Sequence, residues 1–232
     1  GKLLELLYSA RNKFDSVQMQ WVYAYDINVL HEIFDNQNDK SRTLLKAVDS
    51  KRLILPSDHS NFSFVHQKLL IQKQQFMRYE RKVDKSEPTT QIVVDKREWN
   101  ITSSNRRKGR IQYCEKDNSV NVMDEVLEIQ AGELLDPSFL LSSHDISVIG
   151  EEQFLNREVI RVRVFPRKGK DQGRESYFWH STNEIEILVD KQRGTMLKYV
   201  LKLNASDFAY CTVTKIIFDA NIPESDLLAG VN

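Results

Sequence analysis

The chain has 232 residues, with 33 Lys and Arg balancing 33 Asp and Glu, and so carries no net charge. That balance removes the broad positive field that a phosphate backbone rewards and excludes nucleic acid as an expected partner. No run reaches the roughly 20 apolar residues of a membrane-spanning helix, and no Pro/Gly/Ser-rich linker divides the chain, so one domain is expected over 1–232.

The chain opens on Gly1-Lys2 without Met and shows no signal peptide, which leaves an export signal removed in processing open. Over residues 3–13, Leu3, Leu4, Leu6, Leu7 and Ala10 repeat as on an amphipathic helix. From Asp15 the period becomes two. Val17, Met19, Trp21, Tyr23 and Tyr25 share one face and Gln18, Gln20 and Ala24 the other, which predicts a long strand with an aromatic inner row. A helical insertion follows near 27–60, carried by Ile27, Leu30, Ile33, Phe34, Leu44, Leu45 and Val48 and ended by Pro56-Ser57-Asp58. Phe62–Ile71 and Gln75–Val83 read as the next strands. Gln67-Lys68 and Gln72-Lys73-Gln74-Gln75 interrupt their alternation, so a helix over 66–80 is the alternative.

Gln91–Val94 and Glu98–Thr102 make a hairpin over Asp95-Lys96-Arg97, and Gly109–Glu115 a further strand. Beyond Asn121 the spacing lengthens through Val122, Val126, Ile129, Leu134 and Leu135. Asp136 and Pro137 then suit the cap and first position of a short helix carrying Phe139, Leu140 and Leu141. Ile146–Gly150 and Glu158–Pro166 form a strand pair, Lys168–Arg174 a loop, and Tyr177-Phe178-Trp179 leads into three closing strands. These are Glu184–Asp190, Thr195–Leu203 and Phe208–Phe218, with Leu197, Tyr199, Leu201 and Leu203 opposed to Met196, Lys198, Val200 and Lys202. Short turn-forming gaps let consecutive strands pair antiparallel.

Catalytic chemistry finds little material. The histidines His31, His59, His66, His144 and His180 are scattered singly, no H-E-x-x-H or C-x-x-C occurs, and no Ser sits in a G-x-S-x-G elbow. The eight Gly form no phosphate loop. The expectation is no enzyme, no catalytic or metal site and no cofactor; only a cleft joining His66, His144, His180 and carboxylates would revive catalysis. Cys114 and Cys211 read as buried thiols, with one long-range disulfide as the alternative in an oxidising compartment. Arg106-Arg107-Lys108 with Arg110, and Arg163, Arg167, Lys168 and Lys170, read as solvated loop charge, with an anion or lipid-headgroup site as the alternative.

Several pieces, in this order, resemble the LolA-like superfamily of lipoprotein carriers, mycobacterial lipoprotein relatives and RseB-type envelope regulators. They are the leading helix with Phe14-Asp15-Ser16-Val17-Gln18-Met19-Gln20-Trp21, then Gln75-Phe76-Met77-Arg78-Tyr79-Glu80, Val93-Val94-Asp95-Lys96-Arg97-Glu98-Trp99 and Leu134-Leu135-Asp136-Pro137-Ser138. Ile149-Gly150 with Asn156-Arg157-Glu158, Leu188-Val189-Asp190-Lys191-Gln192-Arg193-Gly194-Thr195-Met196-Leu197 and Ile216-Ile217-Phe218-Asp219-Ala220-Asn221-Ile222-Pro223-Glu224 complete the set. The resemblance implies an α+β fold: a strongly curved, unclosed antiparallel half-barrel with helices covering its concave face. It also implies an extracytoplasmic setting, in periplasm or cell envelope.

On that fold the aromatic strands become a candidate binding surface for a lipid or lipoprotein acyl chain, with an envelope protein as a second partner class. The expected lining is Trp21, Tyr23, Tyr25, Phe76, Trp99, Phe139, Leu197, Tyr199, Leu201, Phe208 and Tyr210. Each methylene moved from water into such a hollow gains about 0.8 kcal/mol. The rival expectation is a regulatory or protein-interaction module of the same fold with the hollow closed and an edge strand or the 167–175 loop as the contact.

Overall fold

The computed structural model describes residues 1–29, 62–72, 76–84, 86–94, 97–102, 114–115, 122–127, 129–167 and 182–229. Beyond Val29 the expected insertion, the strand positions 109–113, the 168–174 loop and the Tyr177-Phe178-Trp179 run lie outside these residues.

Alternation places every described strand in one antiparallel sheet. Its members are β1 (Ser16–Asp26), β2 (Phe62–Gln72), β3 (Phe76–Val83), β4 (Thr89–Val94), β5 (Arg97–Thr102), β6 (Cys114–Glu115), β7 (His144–Phe154), β8 (Arg157–Pro166), β9 (Glu184–Asp190), β10 (Met196–Leu203) and β11 (Ser206–Phe218). The spatial order is β6-β5-β4-β3-β2-β1-β11-β10-β9-β8-β7, so among the described residues β6 and β7 are the two edges and the half-barrel does not close. Two meanders run outward from a central seam, where β11 returns to pair with β1. The alternative helix over 66–80 is set aside: β2 and β3 pair in unbroken register from Val65↔Val83 to Gln72↔Phe76.

Turn chemistry sets the hairpins. Asn204 and Ala205 (φ 51° and 66°) join Leu203 to Ser206, and Leu155 and Asn156 (φ 52° and 58°) join Phe154 to Arg157. Positive φ at both loop residues matches the right-handed twist of the strands they connect. Between β9 and β10, the buried Asp190 carboxylate accepts from Gln192 N and Arg193 N, both at 2.8 Å. Gly194 then turns at φ +79° and lies so close to the first helix that a Cβ would stand 2.3 Å from Leu6 O.

That helix, α1 (Lys2–Ser9), continues as a 3₁₀ turn over Ala10–Asn12 and buries Leu6 and Leu7 in the concave-side core, leaving Leu4 and Tyr8 exposed. A second helical layer comprises α2 (Val122–Leu127), α3 (Gln130–Leu135), a 3₁₀ turn at Pro137–Phe139 and α4 (Leu140–Ser143). Asp136 caps the 3₁₀ turn, accepting from Ser138 N at 3.3 Å. Gly132 permits the tight α2–α3 corner, since a Cβ there would meet Leu127 Cα at 2.6 Å.

One expectation fails at β10. A register shift between Met196 and Lys198 turns Met196 inward, so that it and Leu197 are both fully buried rather than opposed. Cys211 is a buried free thiol, which removes it from the long-range disulfide considered above. Cys114 is described only as a backbone position of β6.

Candidate binding face

The inner rows of the central strands form the main core. Val17, Met19, Trp21, Tyr23 and Tyr25 of β1 stand in register with Ile71, Leu69, Gln67, Val65 and Ser63 of β2. On the other side of the seam, Tyr23 pairs with Cys211 of β11, which pairs with Tyr199 of β10, which pairs with Ile187 of β9. Trp21, Tyr199 and Phe208 are each 1% exposed, while Leu197 and Leu201 are fully enclosed. Phe139, from the 3₁₀ turn, packs against this cluster. Tyr23 and Tyr25 tilt together at 5.5 Å between ring centroids, and Trp21 stacks on Tyr79 at 6.1 Å.

Eight of the eleven expected lining residues, Trp21, Tyr23, Tyr25, Phe139, Leu197, Tyr199, Leu201 and Phe208, thus share one face. Phe76 and Tyr210 do not join them. Phe76 packs on the opposite, convex side with Leu70, Ile92, Ile222 and Leu227, because it precedes the inward Met77 by one residue. The C-terminal helix α5 (Glu224–Leu227) covers that satellite cluster, and Arg78 fastens it by donating to Leu227 O at 3.3 Å. Tyr210 lies in register with Ala24, one residue off the inner row, and tilts against Phe62 at 6.0 Å. Trp99 pairs in register with Ile92, and its side chain is outside the described residues.

A polar relay that the apolar pattern did not foretell crosses the middle of the concave face. Tyr79 donates its hydroxyl to Gln67 Oε1, and Gln67 Nε2 donates to Gln130 Oε1 at 2.6 Å. The same Gln130 oxygen accepts from Trp21 Nε1 at 3.1 Å, and Gln130 Nε2 donates to the Tyr199 hydroxyl at 2.8 Å. Tyr199 in turn donates to Glu133 Oε2 at 3.4 Å. Strands β1, β2, β3 and β10 are thereby tied to α3 through one amide, and each polar side chain of the relay has a partner, as burial requires. Gln67 was visible in the sequence as the residue that breaks the β2 alternation. Gln130 and Glu133 carried no such signal, because on a short helix any polar residue passes for solvent-facing.

Burial keeps the phenols protonated. It pushes the Tyr199 and Tyr23 hydroxyls well above their ordinary range, with the Glu133 carboxylate adding to both, and raises Tyr79 to about 12. The Cys211 thiol is likewise held up by burial and by Glu133, which suppresses the reactive thiolate. Among the described residues no three His, Cys, Asp or Glu gather as metal ligands, and His66 and His144 stand far apart in the sheet on β2 and β7.

The apolar hollow expected on this side is occupied, among the described residues, by the protein's own side chains and the α2–α4 layer. No family model and no curated protein matches the sequence. Solved structures do match in shape. A crystal structure of MucB has a TM-score of 0.53 at 16% identity, covering 98% of this chain and 62% of that one. A complex of Pseudomonas aeruginosa MucA and MucB has a TM-score of 0.51 at 16% identity, covering 99% of this chain and 60% of the other. MucB in complex with MucA(peri) has a TM-score of 0.50 at 17% identity, with 98% and 58% covered. The chain spans about three fifths of the length of these MucB structures. At such identities the likeness is one of fold, and the fold shared with MucB is the unclosed antiparallel half-barrel expected from the resemblance.

Proposed function

We propose that this chain is a non-enzymatic, envelope-associated binding domain of the extracytoplasmic space. A lipid or lipoprotein acyl chain enters its concave face when the α2–α4 layer lifts. The reading treats 1–232 as one LolA-like domain with the insertion near 27–60.

The observation that carries it is the manner in which the cover is attached. An aromatic and aliphatic floor lies beneath a helical layer whose central fastening is the Gln130 amide, hydrogen-bonded to Trp21, Gln67 and Tyr199. Water can satisfy those same polar groups when the layer lifts, so releasing them costs only about 1 kcal/mol per bond. The apolar floor then exposed is the surface that gains from an incoming chain, at about 0.8 kcal/mol per methylene, and ten methylenes outweigh the relay. A purely apolar cover would exchange one greasy contact for another and gain nothing from the same ligand.

The test is native mass spectrometry of freshly purified protein, followed by titration with a fluorescent fatty-acyl probe. Co-purified lipid, or probe uptake that quickens in Gln130→Ala, supports the reading. Ligand-free protein that takes no probe in either form overturns it. The second reading is a protein-interaction module in which the cover stays shut. It is favoured by the filled concave face, and MucB, whose fold this chain shares, is known in complexes with MucA. A captured envelope partner that acyl lipid does not displace would favour that reading.

A further inference from the structure

The convex side of the same strands carries a second recognition surface. We propose that the outer face of β3-β2-β1-β11-β10 docks on an anionic lipid surface. The inference is independent of what the concave face holds.

Two rows of residues cross that face in register. One runs Lys82↔His66↔Val22↔Thr212↔Lys198, and the next runs Glu80↔Lys68↔Gln20↔Lys215. Lys68, Lys82, Lys198 and Lys215 form no ion pair among the described residues, although carboxylates are available elsewhere on the sheet. The one acid within the rows, Glu80, is taken by Arg78 at 2.7 Å. Elsewhere on the outer face, among the described residues, Arg161 and Lys202 are neutralised by Glu186 and Arg163 by Glu184. In a chain without net charge, a cluster of unpaired lysines is a local excess rather than a reflection of composition.

Lys82 stands opposite His66 across β2 and β3 and diagonal to Lys68, so two lysine charges crowd one part of the face, a repulsion that a bound anion relieves. Gln20, His66, Lys68, Lys82 and Thr214, together with the Arg78-paired Glu80, line a shallow groove of about 320 Å³ between the rows. Its size suits a single headgroup, but the cations extend beyond it. From β3 to β10 they span four strand spacings, or about 19 Å, farther than one phosphate reaches and comparable to a patch of several neighbouring headgroups. The row beyond them is aromatic, with Phe64↔Ala24↔Tyr210 in register and Phe62 against Tyr210 at 6.0 Å. Half-exposed aromatic rings beside cations are the side chains that settle at headgroup level. They border the cation rows without interleaving with them, which favours a lipid interface over a strand of stacked bases.

Sedimentation of the full chain with phosphatidylcholine vesicles, with and without one quarter phosphatidylglycerol, tests the proposal. The wild type is expected to bind only the anionic vesicles and to lose binding as salt rises. Replacing Lys68, Lys82, Lys198 and Lys215 together with Gln should weaken partitioning by about 10²–10³-fold, at about five-fold per lysine. The matching four-fold Lys→Arg variant should retain it, and Lys2→Gln with Lys13→Gln should bind as the wild type does. Circular dichroism of each variant checks that the sheet persists. Absence of wild-type binding to anionic vesicles overturns the proposal, as does a four-fold Gln variant, folded by that criterion, that sediments like the wild type. A duplex DNA bound as tightly as the vesicles also overturns it, since the surface would then be a generic polyanion site.

Discussion

The concave and convex faces of the central strands are built from alternate residues of the same segments, yet they handle polar groups in opposite ways. On the concave side polarity is consumed internally: Gln67, Gln130, Tyr79 and Tyr199 satisfy one another and the cover is fastened by them. On the convex side Lys68, Lys82, Lys198 and Lys215 have no ion-pair partner among the described residues. A buried polar group must be satisfied at once or the fold loses stability, whereas an exposed cation can wait for a ligand. The difference locates where stability and where external recognition are stored, and mutation can separate them.

The largest effect is expected where α1 closes the base of the concave side. Gly194→Ala places a Cβ 2.3 Å from Leu6 O at a left-handed φ of +79°, so either the turn or the helix must move. We expect a loss of about 3 kcal/mol, combining left-handed strain with the clash. Urea unfolding checks it through a lowered midpoint with an unchanged slope. Next comes the relay. Gln130→Leu strands Trp21 Nε1 and Gln67 Nε2 and leaves the Tyr199 hydroxyl only its bond to Glu133, at a cost of about 2 kcal/mol. Adding Gln67→Leu and Tyr79→Phe removes the stranded Gln67 amide together with the hydroxyl that donates to it, leaves only Trp21 Nε1 unpaired, and should restore part of the loss. If the triple variant is no more stable than the single one, Gln130 acts by packing and not by fastening.

The two faces were unequally legible in the sequence. Parity in β1 and β10 was enough to place Trp21, Tyr23, Tyr199 and Leu201 together, because a strand has only two sides and the apolar one goes inward. The same parity misleads where the count is broken or both sides are covered. Met196 escapes its expected face through a register shift, and Phe76 is apolar yet outward because the C-terminal Ile222 and Leu227 fold back to cover it. Tyr210 sits one residue from Cys211 and therefore outside. The relay was half visible, as a glutamine interrupting an apolar run, while its partner on α3 became legible only once the cover was in place. Lys198 stood out in the sequence as a charge within a strand, but its alignment with Lys82 and His66 depends on register across strands that lie far apart in the chain.

A smaller effect concerns the paired part of the convex face. Hydrogen bonds from Lys202 and Arg161, at 2.5 and 2.8 Å, hold the Glu186 carboxyl at about 2, down from 4.5. A carboxyl depressed in the folded state contributes stability that is fully present above 4.5 and is lost as pH falls toward 2. Because Arg161 is largely solvated, the contribution is discounted to about 1 kcal/mol. Glu186→Gln should therefore lower the urea midpoint at pH 6 and leave it unchanged at the acid end of that window.

The smallest expected change in stability gives the sharpest contrast between the faces. Lys82→Glu puts a carboxylate directly opposite His66 and diagonal to Lys68, replacing a Lys–Lys repulsion across the two strands with an attraction. Cross-strand pairs of this kind are worth about 0.5 kcal/mol, so the variant should melt slightly higher than the wild type. Its binding to anionic vesicles should nevertheless fall more steeply than that of Lys82→Gln, because the substitution removes a cation and adds an anion. A residue whose replacement strengthens the fold while weakening an interaction is held for that interaction. If Lys82→Glu lowers the melting temperature instead, Lys82 has a partner within the fold, and the contrast between an internally satisfied concave face and an outward-directed convex one fails at its central position.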